Sequence, residues 1–287
     1  MREAITSPRS LDIYHKRRVA RIRLTILISI LSVSIIGAAA YFSSDKHLTI
    51  NNISITGTHV INKSDIEDIV RTDISGRYLY MFDRSNALIY PKAKIYQDLS
   101  ASFHRIEHLS VALTNFNTLR IDIIERSGTY LYCGEQVPAS VSDVGENCYF
   151  VNSEGYVFDR APYFSGDVYF KYYMKVNDTG SVLGTQIIHP DSFHKLTRFI
   201  DSLTSIGFKS TGLLVEDSGS CTLMLESSNQ IKPKINFRID NDFDTILDNL
   251  TLAMNKPEFA NQIKTKYAKL QYIDLRFKNK VLYKFNE

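Results

Sequence analysis

The heptapeptide FHRIEHL, residues 103–109, sets out His104, Glu107 and His108 in the order H-x-x-E-H. In one class of zinc peptidases this spacing puts two imidazoles on one helical face to hold the metal, with the glutamate beside them as general base. That chemistry needs both histidines on one continuous helix and a third ligand from an element that follows. The apolar pattern changes from helical to alternating between Phe103 and Leu109, so His108 is expected to start a strand on its polar side. The segment behind it contains no histidine and offers acids only at Asp122 and Glu125. The spacing therefore predicts two exposed histidines at a helix-to-strand turn, with no metal and no cofactor.

Other catalytic spellings are absent. There is no G-x-S-x-G elbow, no G-x-x-x-x-G-K-[ST] phosphate loop and no C-x-x-C pair. His189 and His194 stand near Pro190, at the start of an expected helix, without further ligand types around them. A chain of 287 residues with 44% hydrophobic content has room for about two globular domains. Its 34 basic against 31 acidic residues leave a formal charge of only +3, too even for a nucleic-acid binder. Basic residues matter by position instead.

Seven of them lie between Arg2 and Arg23, against the two acids Glu3 and Asp12. LTILISILSVSIIGAAAYF, residues 24–42, follows without a charge. At about 1.5 Å per helical residue these nineteen residues match the roughly 30 Å hydrocarbon core of a bilayer. The positive-inside bias puts the N-terminus in the cytoplasm and the rest of the chain outside. Ala38-Ala39-Ala40 also has the form of a signal-peptidase site, but the long basic leader and a span that reaches Phe42 favour an uncleaved anchor. Beyond the membrane, Cys133 and Cys148 bound the polar stretch GEQVPASVSDVGEN and adjoin strand-like runs. In an oxidising compartment they are candidates for a disulfide closing that loop, the alternative being three reduced thiols with Cys221.

The elements after the anchor can be placed in order. LTINNISITG, residues 48–57, suits a strand ending at Gly57. NKSDIEDIVRT carries an S-x-x-E capping box, Ser64 with Glu67, and an apolar face of Ile66, Ile69 and Val70. YPKAKIYQDLSASF starts a second helix after Pro91, with Tyr96, Leu99 and Phe103 at helical spacing. Leu109, Val111 and Leu113 alternate before a turn at 115–117, and Leu119, Ile121 and Ile123 return. The order is strand, helix, helix, strand, strand.

The basic tail, single anchor, ISITG, capped helix, Pro-started helix and NTLRIDIIERSG together resemble the POTRA domain of the FtsQ/DivIB family of bacterial cell-division proteins. CYFVNSEGYVFDRAP is similar to that family's following hairpin, PDSFHKLTRFIDSLTSIGF to its long helix, and LQYIDLRFKNKVLYKF to its C-terminal strand pair. Two departures stand out. Glu125-Arg126 is followed by Ser127-Gly128 where the family often has proline, and the loop bounded by the cysteines looks like an insertion.

In the distal part Phe193, Leu196, Phe199, Leu203 and Ile206 form a helical stripe, and TGLLVED, CTLMLES and KINFRID form short strands. Residues 242–255 give a further helix with Phe243, Ile246, Leu247, Leu250 and Met254 inward, and QYIDLRF and VLYKF close the chain around a Lys278–Lys280 turn. The class expected is α+β, with one transmembrane helix, a β-α-α-β-β domain, and a larger, mostly antiparallel β domain with helices on one face. The parts are a cytoplasmic tail at 1–23, the span at 24–42, the POTRA domain at 46–127 and the β domain at 128–287.

VLYKF has Val281, Tyr283 and Phe285 on one face and Leu282 and Lys284 on the other. As an edge strand it either adds a partner's strand or is blunted by Lys284. The family resemblance implies recruitment of the single-span division proteins FtsB (DivIC) and FtsL, with Tyr272, Arg276, Leu282, Tyr283 and Phe285 as contacts. It implies a non-enzymatic scaffold in the cell membrane at the division septum that helps regulate septal peptidoglycan synthesis, with other divisome components as further partners. Two rivals are a POTRA-bearing scaffold of secretion or envelope assembly and an anchored zinc hydrolase using His104, Glu107 and His108.

Overall fold

The computed structural model describes residues 8–43, 45–138, 148–164, 166–176, 180–227 and 232–286. Arg2 and Glu3 of the leader, and residues 139–147 of the loop between Cys133 and Cys148, lie outside that set. The first helix, α1 (Pro8–Ser43), runs unbroken from the leader through the apolar run. Its segment Arg17–Ser43 is long and apolar enough to cross a membrane, and its most apolar 18-residue stretch has a mean hydropathy of 2.2. Its aliphatic side chains are exposed, Val33 at 69% and Leu27 at 63%. Two hydroxyls that such a setting would leave unpaired are bonded within the helix, Thr25 to the Ile22 carbonyl and Ser32 to that of Ile28.

The chain divides into two compact units, residues 1–103 with 108–124, and residues 104–107 with 125–287. The first unit contains β1 (Asn52–Thr56), α2 (Lys63–Asp73), a small hairpin of β2 (Arg77–Tyr78) and β3 (Phe82–Asp83), and α3 (Lys92–Ser102). β4 (Ile106–Asn115) and β5 (Thr118–Glu125) complete its sheet, in the order β1-β5-β4 with β1 parallel to β5. The strand expected from residue 48 starts later. The Asp45 carboxylate accepts the His47 N–H and turns Lys46–Leu48 into a short 3-10 helix.

Two local expectations are corrected in this unit. The capping box does not form, because Asn62 occupies the N-cap and Ser64 already lies inside α2. The Ser64 hydroxyl bonds Asp65, and Glu67 pairs with Arg71 one turn on. On α3 the buried stripe is Ile95 and Leu99, both at 0% exposure, whereas Tyr96 is 51% exposed. The face is chosen by packing on α2, where Ile66 and Val70 are also fully buried, and Lys94 reaches across to the buried Asp73 carboxylate. Each such aliphatic side chain contributes about 1.5–3 kcal/mol of burial, which outweighs a phase preference seen only in spacing.

The second unit begins with β6 (Tyr130–Tyr132), β7 (Tyr149–Val151), β8 (Val157–Arg160) and β9 (Lys171–Met174), followed by α4 (Pro190–Ser205). Then come β10 (Ser210–Val215), β11 (Ser220–Leu225) and β12 (Lys234–Arg238), the helices α5 (Phe243–Met254) and α6 (Pro257–Lys266), and β13 (Leu270–Asp274) with β14 (Leu282–Phe285). They form one nine-stranded sheet in the order β14-β13-β12-β11-β10-β9-β6-β7-β8. The molecule is thus α+β, with one N-terminal apolar helix and a large, mostly antiparallel sheet. Two of its three parallel junctions follow from helical connections, the third being β6 with β9. α4 carries the chain from β9 to β10, and α5 with α6 carry it from β12 to β13, and a helical crossover returns a strand in the same direction.

Register lines up one residue from each of six strands. Tyr172, Leu213, Leu223, Ile235, Ile273 and Tyr283 form a row on the face that α4, α5 and α6 cover. The first five of these are 0% exposed and Tyr283, on the outermost strand, is 40% exposed. The Tyr172 hydroxyl sits in this core without a hydrogen-bond partner, and burial pushes its ionisation well above the ordinary range. Since a buried hydroxyl without a partner is destabilising, Tyr172→Phe should raise the stability of the second unit by about 1 kcal/mol. A urea titration followed by circular dichroism checks this.

Candidate partner-binding edge

The outer strand is held by three parts of the second unit. β13 pairs with β14 from Leu270↔Phe285 to Asp274↔Leu282, with a bulge between Leu270 and Tyr272 that keeps Leu270 and Ile273 on the same buried face. α6 supplies Phe259, whose ring centroid is 4.8 Å from that of Tyr283, and Tyr283 in turn meets Phe285 at 5.7 Å. α5 fixes the turn between the strands, Asn249 donating its side-chain amide to the Lys278 carbonyl at 2.8 Å. The hairpin is therefore supported from the helix side, while among the described residues no further strand of the sheet pairs with its far edge.

Strand periodicity assigns the free groups. The Asn286 N–H donates to the Lys269 carbonyl, so the N–H groups of Leu282 and Lys284 share its inward direction and those of Tyr283 and Phe285 point outward from the sheet. On the face away from the helices the edge carries Leu282, 45% exposed, and Lys284, which is paired in register with Tyr272. The five residues expected as contacts thus converge on one hairpin but on two faces of it. Tyr283 and Phe285 lie on the helix side, and Leu282 and Tyr272 lie on the other.

Arg276 has a different role from an open contact. Its guanidinium grips the Asp274 carboxylate at 2.6 and 2.9 Å, and its backbone N–H donates to the same group at 3.1 Å. Asp274 is buried, which by itself would raise its carboxyl, but the side chain and backbone of Arg276 outweigh burial and hold it below the ordinary range. A carboxyl lowered in the folded state stabilises fully above its unfolded pKa of about 3.9, and that stability is lost as pH falls through the folded value. Arg276→Ala should therefore move acid unfolding of the second unit to higher pH, as read by circular dichroism along an acid titration. Around the hairpin Lys278, Lys280 and Lys284 add exposed positive charge.

The histidines of the HRIEH stretch are placed apart. Phe103 ends α3 and β4 begins at Ile106, so no continuous helix joins His104 to His108. The His104 imidazole lies against Gly184, and Glu107 and His108 are exposed neighbours on a strand. Among the described residues no group of three or more His, Cys, Asp or Glu is arranged to hold a metal. Cys133 and Cys148 are joined in a disulfide, and Cys221 is a buried free thiol that burial pushes up to about 12.

Sequence reasoning missed α6 and with it the aromatic support of Tyr283. PEFANQIKTK offers only Phe259 and Ile263 as an apolar pair, and the usable signal was Pro257 at the helix start with Phe and Ile four apart. No protein-family model and no curated protein matches the chain.

Proposed function

We propose that this chain is a bitopic, non-enzymatic scaffold that holds a single-span partner by adding the partner's strand to β14. The observation that carries the reading is the outer side of β14, which no strand among the described residues covers, with the Tyr283 and Phe285 N–H groups pointing outward and Leu282 and Tyr283 roughly half exposed. Main-chain pairing along such an edge supplies affinity, and side chains on its two faces supply specificity. The exposed hairpin residues Lys278, Lys280 and Lys284 favour an acidic partner segment. α1 would fix the scaffold in the membrane, with the compact units outside.

The family resemblance makes the occupant an FtsB/DivIC or FtsL type protein and the site of action the division septum. Apart from the small β2–β3 hairpin inserted between α2 and α3, the strand, helix, helix, strand, strand order of the first unit supports a POTRA reading, as does its β1-β5-β4 sheet. In this reading the first unit is the membrane-proximal POTRA domain and the second presents the edge.

Co-purification from gently solubilised membranes tests the proposal. Removing everything after Leu270 would also remove Ile273 and Leu275, which are buried core residues. Tyr283→Pro is the better probe, because it deletes an outward N–H at an edge position where proline is tolerated. Small single-span proteins should co-purify with the parent chain and be lost from Tyr283→Pro, and Leu282→Lys should weaken their retention. Retention of the same proteins by all three chains overturns the edge mechanism, and recovery of secretion or envelope-assembly components instead overturns the division assignment.

A further inference from the structure

We propose that the tip of the β2–β3 hairpin, Leu79-Tyr80-Met81, and the adjoining Leu88-Ile89 turn dip into the interfacial layer of the lipid leaflet from which α1 emerges. The inference rests on the reading of α1 as a membrane span, and it adds a second contact between the first unit and the same bilayer. Its starting point is a turn with the wrong residues for water. Met81 N–H bonds the Tyr78 carbonyl at 3.0 Å across Leu79 and Tyr80, whose φ angles are 50° and 61°. Two consecutive positive φ values make the tight hairpin turn that favours Asn and Gly. Here it carries a leucine 81% exposed and a tyrosine 94% exposed, with Met81 at 43%.

The position of the turn identifies what covers it. Ser43, the last residue of α1, accepts the Asp83 N–H on its hydroxyl at 3.1 Å, and its carbonyl accepts the Asn86 side-chain amide at 3.0 Å. Ser43 and Asn86 are both buried at this junction. Tyr80 is three positions before Asp83, so the tip is within about 10 Å of the residue bonded to the helix end, at roughly 3.3 Å per residue. Asn86 also orders the second turn, its Oδ1 accepting the Leu88 N–H at 2.9 Å, and Leu88 and Ile89 are 69% and 41% exposed. One buried serine–asparagine junction thus fixes two apolar turns beside the point where the span ends.

The chemistry around them is that of a membrane interface. The last turn of α1 presents Tyr41 and Phe42, 81% and 61% exposed, where aromatic side chains sit at the level of lipid headgroups. At the base of the hairpin Arg77 is paired with Asp83, and the Arg84 guanidinium lies 5.0 Å over the Tyr78 ring. An apolar tip backed by cations is the composition of a segment that lies in a bilayer surface.

The chain contains no tryptophan, so a single Tyr80→Trp reports this tip alone. The full chain is placed one copy per nanodisc of phosphatidylcholine and phosphatidylglycerol, with and without lipid spin-labelled near the headgroup, and Phe42→Trp is measured in parallel. Blue-shifted emission from Tyr80→Trp and an about twofold loss on adding the spin-labelled lipid, comparable to Phe42→Trp, is the expected result. Quenching of Phe42→Trp alone overturns the hairpin contact and leaves the anchor standing. A blue-shifted but unquenched Tyr80→Trp overturns it in favour of a protein contact. If neither is quenched, the anchor reading fails and the inference with it.

Discussion

Gly57→Ala is expected to unfold the first unit at a temperature roughly 10–20 °C below that of the parent chain, while the transition of the second unit stays in place. Gly57 follows β1 with φ at +83°, and a Cβ there would overlap the Ile123 carbonyl oxygen. Both terms act together. A left-handed conformation is unfavourable for any side chain, and the obstacle is backbone on the neighbouring strand, which no rotamer change can clear. β1 pairs in parallel with β5 up to Thr56↔Asp122, so relieving the overlap means pulling apart the sheet whose strand β1 contacts α2. The loss amounts to about 3 kcal/mol, within the range of the strongest single substitutions. Scanning calorimetry of the full chain in detergent resolves the two units, and an unchanged first transition would contradict this account of Gly57.

Removing the Cys133–Cys148 bridge is the second large effect, and it falls on the other unit. Tyr132 and Tyr149 are register partners on β6 and β7, so the next residue outward on each strand, Cys133 and Cys148, stand opposite one another with Cα atoms 4.2 Å apart. The bond closes a loop of sequence separation 15, and a closure of that size is expected to stabilise by about 3 kcal/mol through the unfolded chain. The double substitution Cys133→Ser/Cys148→Ser should lower the second transition by roughly 6–12 °C and leave the first unmoved. Cys221 does not confuse the experiment. It is fully buried, its ionisation is pushed up to about 12, and a thiolate-selective reagent at neutral pH should label it only after unfolding. A second transition that ignores both reductant and double substitution would contradict the role given to the bridge.

Much of the architecture was legible because it is local. The stripe Phe193, Leu196, Phe199 and Leu203 is buried as its spacing requires, and the alternation of Leu119, Ile121 and Ile123 marks a strand buried on one face. What the sequence hid depends on partners far along the chain. Tyr96 and Ile95 offered two phases for α3, and only α2 decides between them. S-x-x-E at Ser64 is spelled correctly, yet the helix starts two residues earlier, with Asn62 at the N-cap and Ser64 inside the first turn. The parallel pairing of β9 with β6 places strands side by side that are separated by a whole hairpin, and no short-range pattern encodes that.

The edge was legible to a similar extent. The alternation in VLYKF gave the two faces of β14 correctly, and Tyr272, Leu282, Tyr283 and Phe285 all lie on the terminal hairpin. The pairing of Arg276 with the buried Asp274 was not readable, since a two-residue separation in a strand end carries no fixed geometry. The support from Phe259 had only a faint signal, Pro257 with Phe259 and Ile263 four apart, because α6 has too few apolar residues to show a longer period.

Amide hydrogen exchange on the chain purified with the single-span protein proposed to co-purify with it, and again after that protein is stripped away, tests strand addition most directly. The account predicts that the Tyr283 and Phe285 amides exchange freely in the stripped chain and become protected in the complex. The Leu282 and Lys284 amides, already bonded to β13, should change little. Protection confined to other surfaces, with Tyr283 and Phe285 still open in the complex, would contradict the claim that this protein works by lending its outer strand.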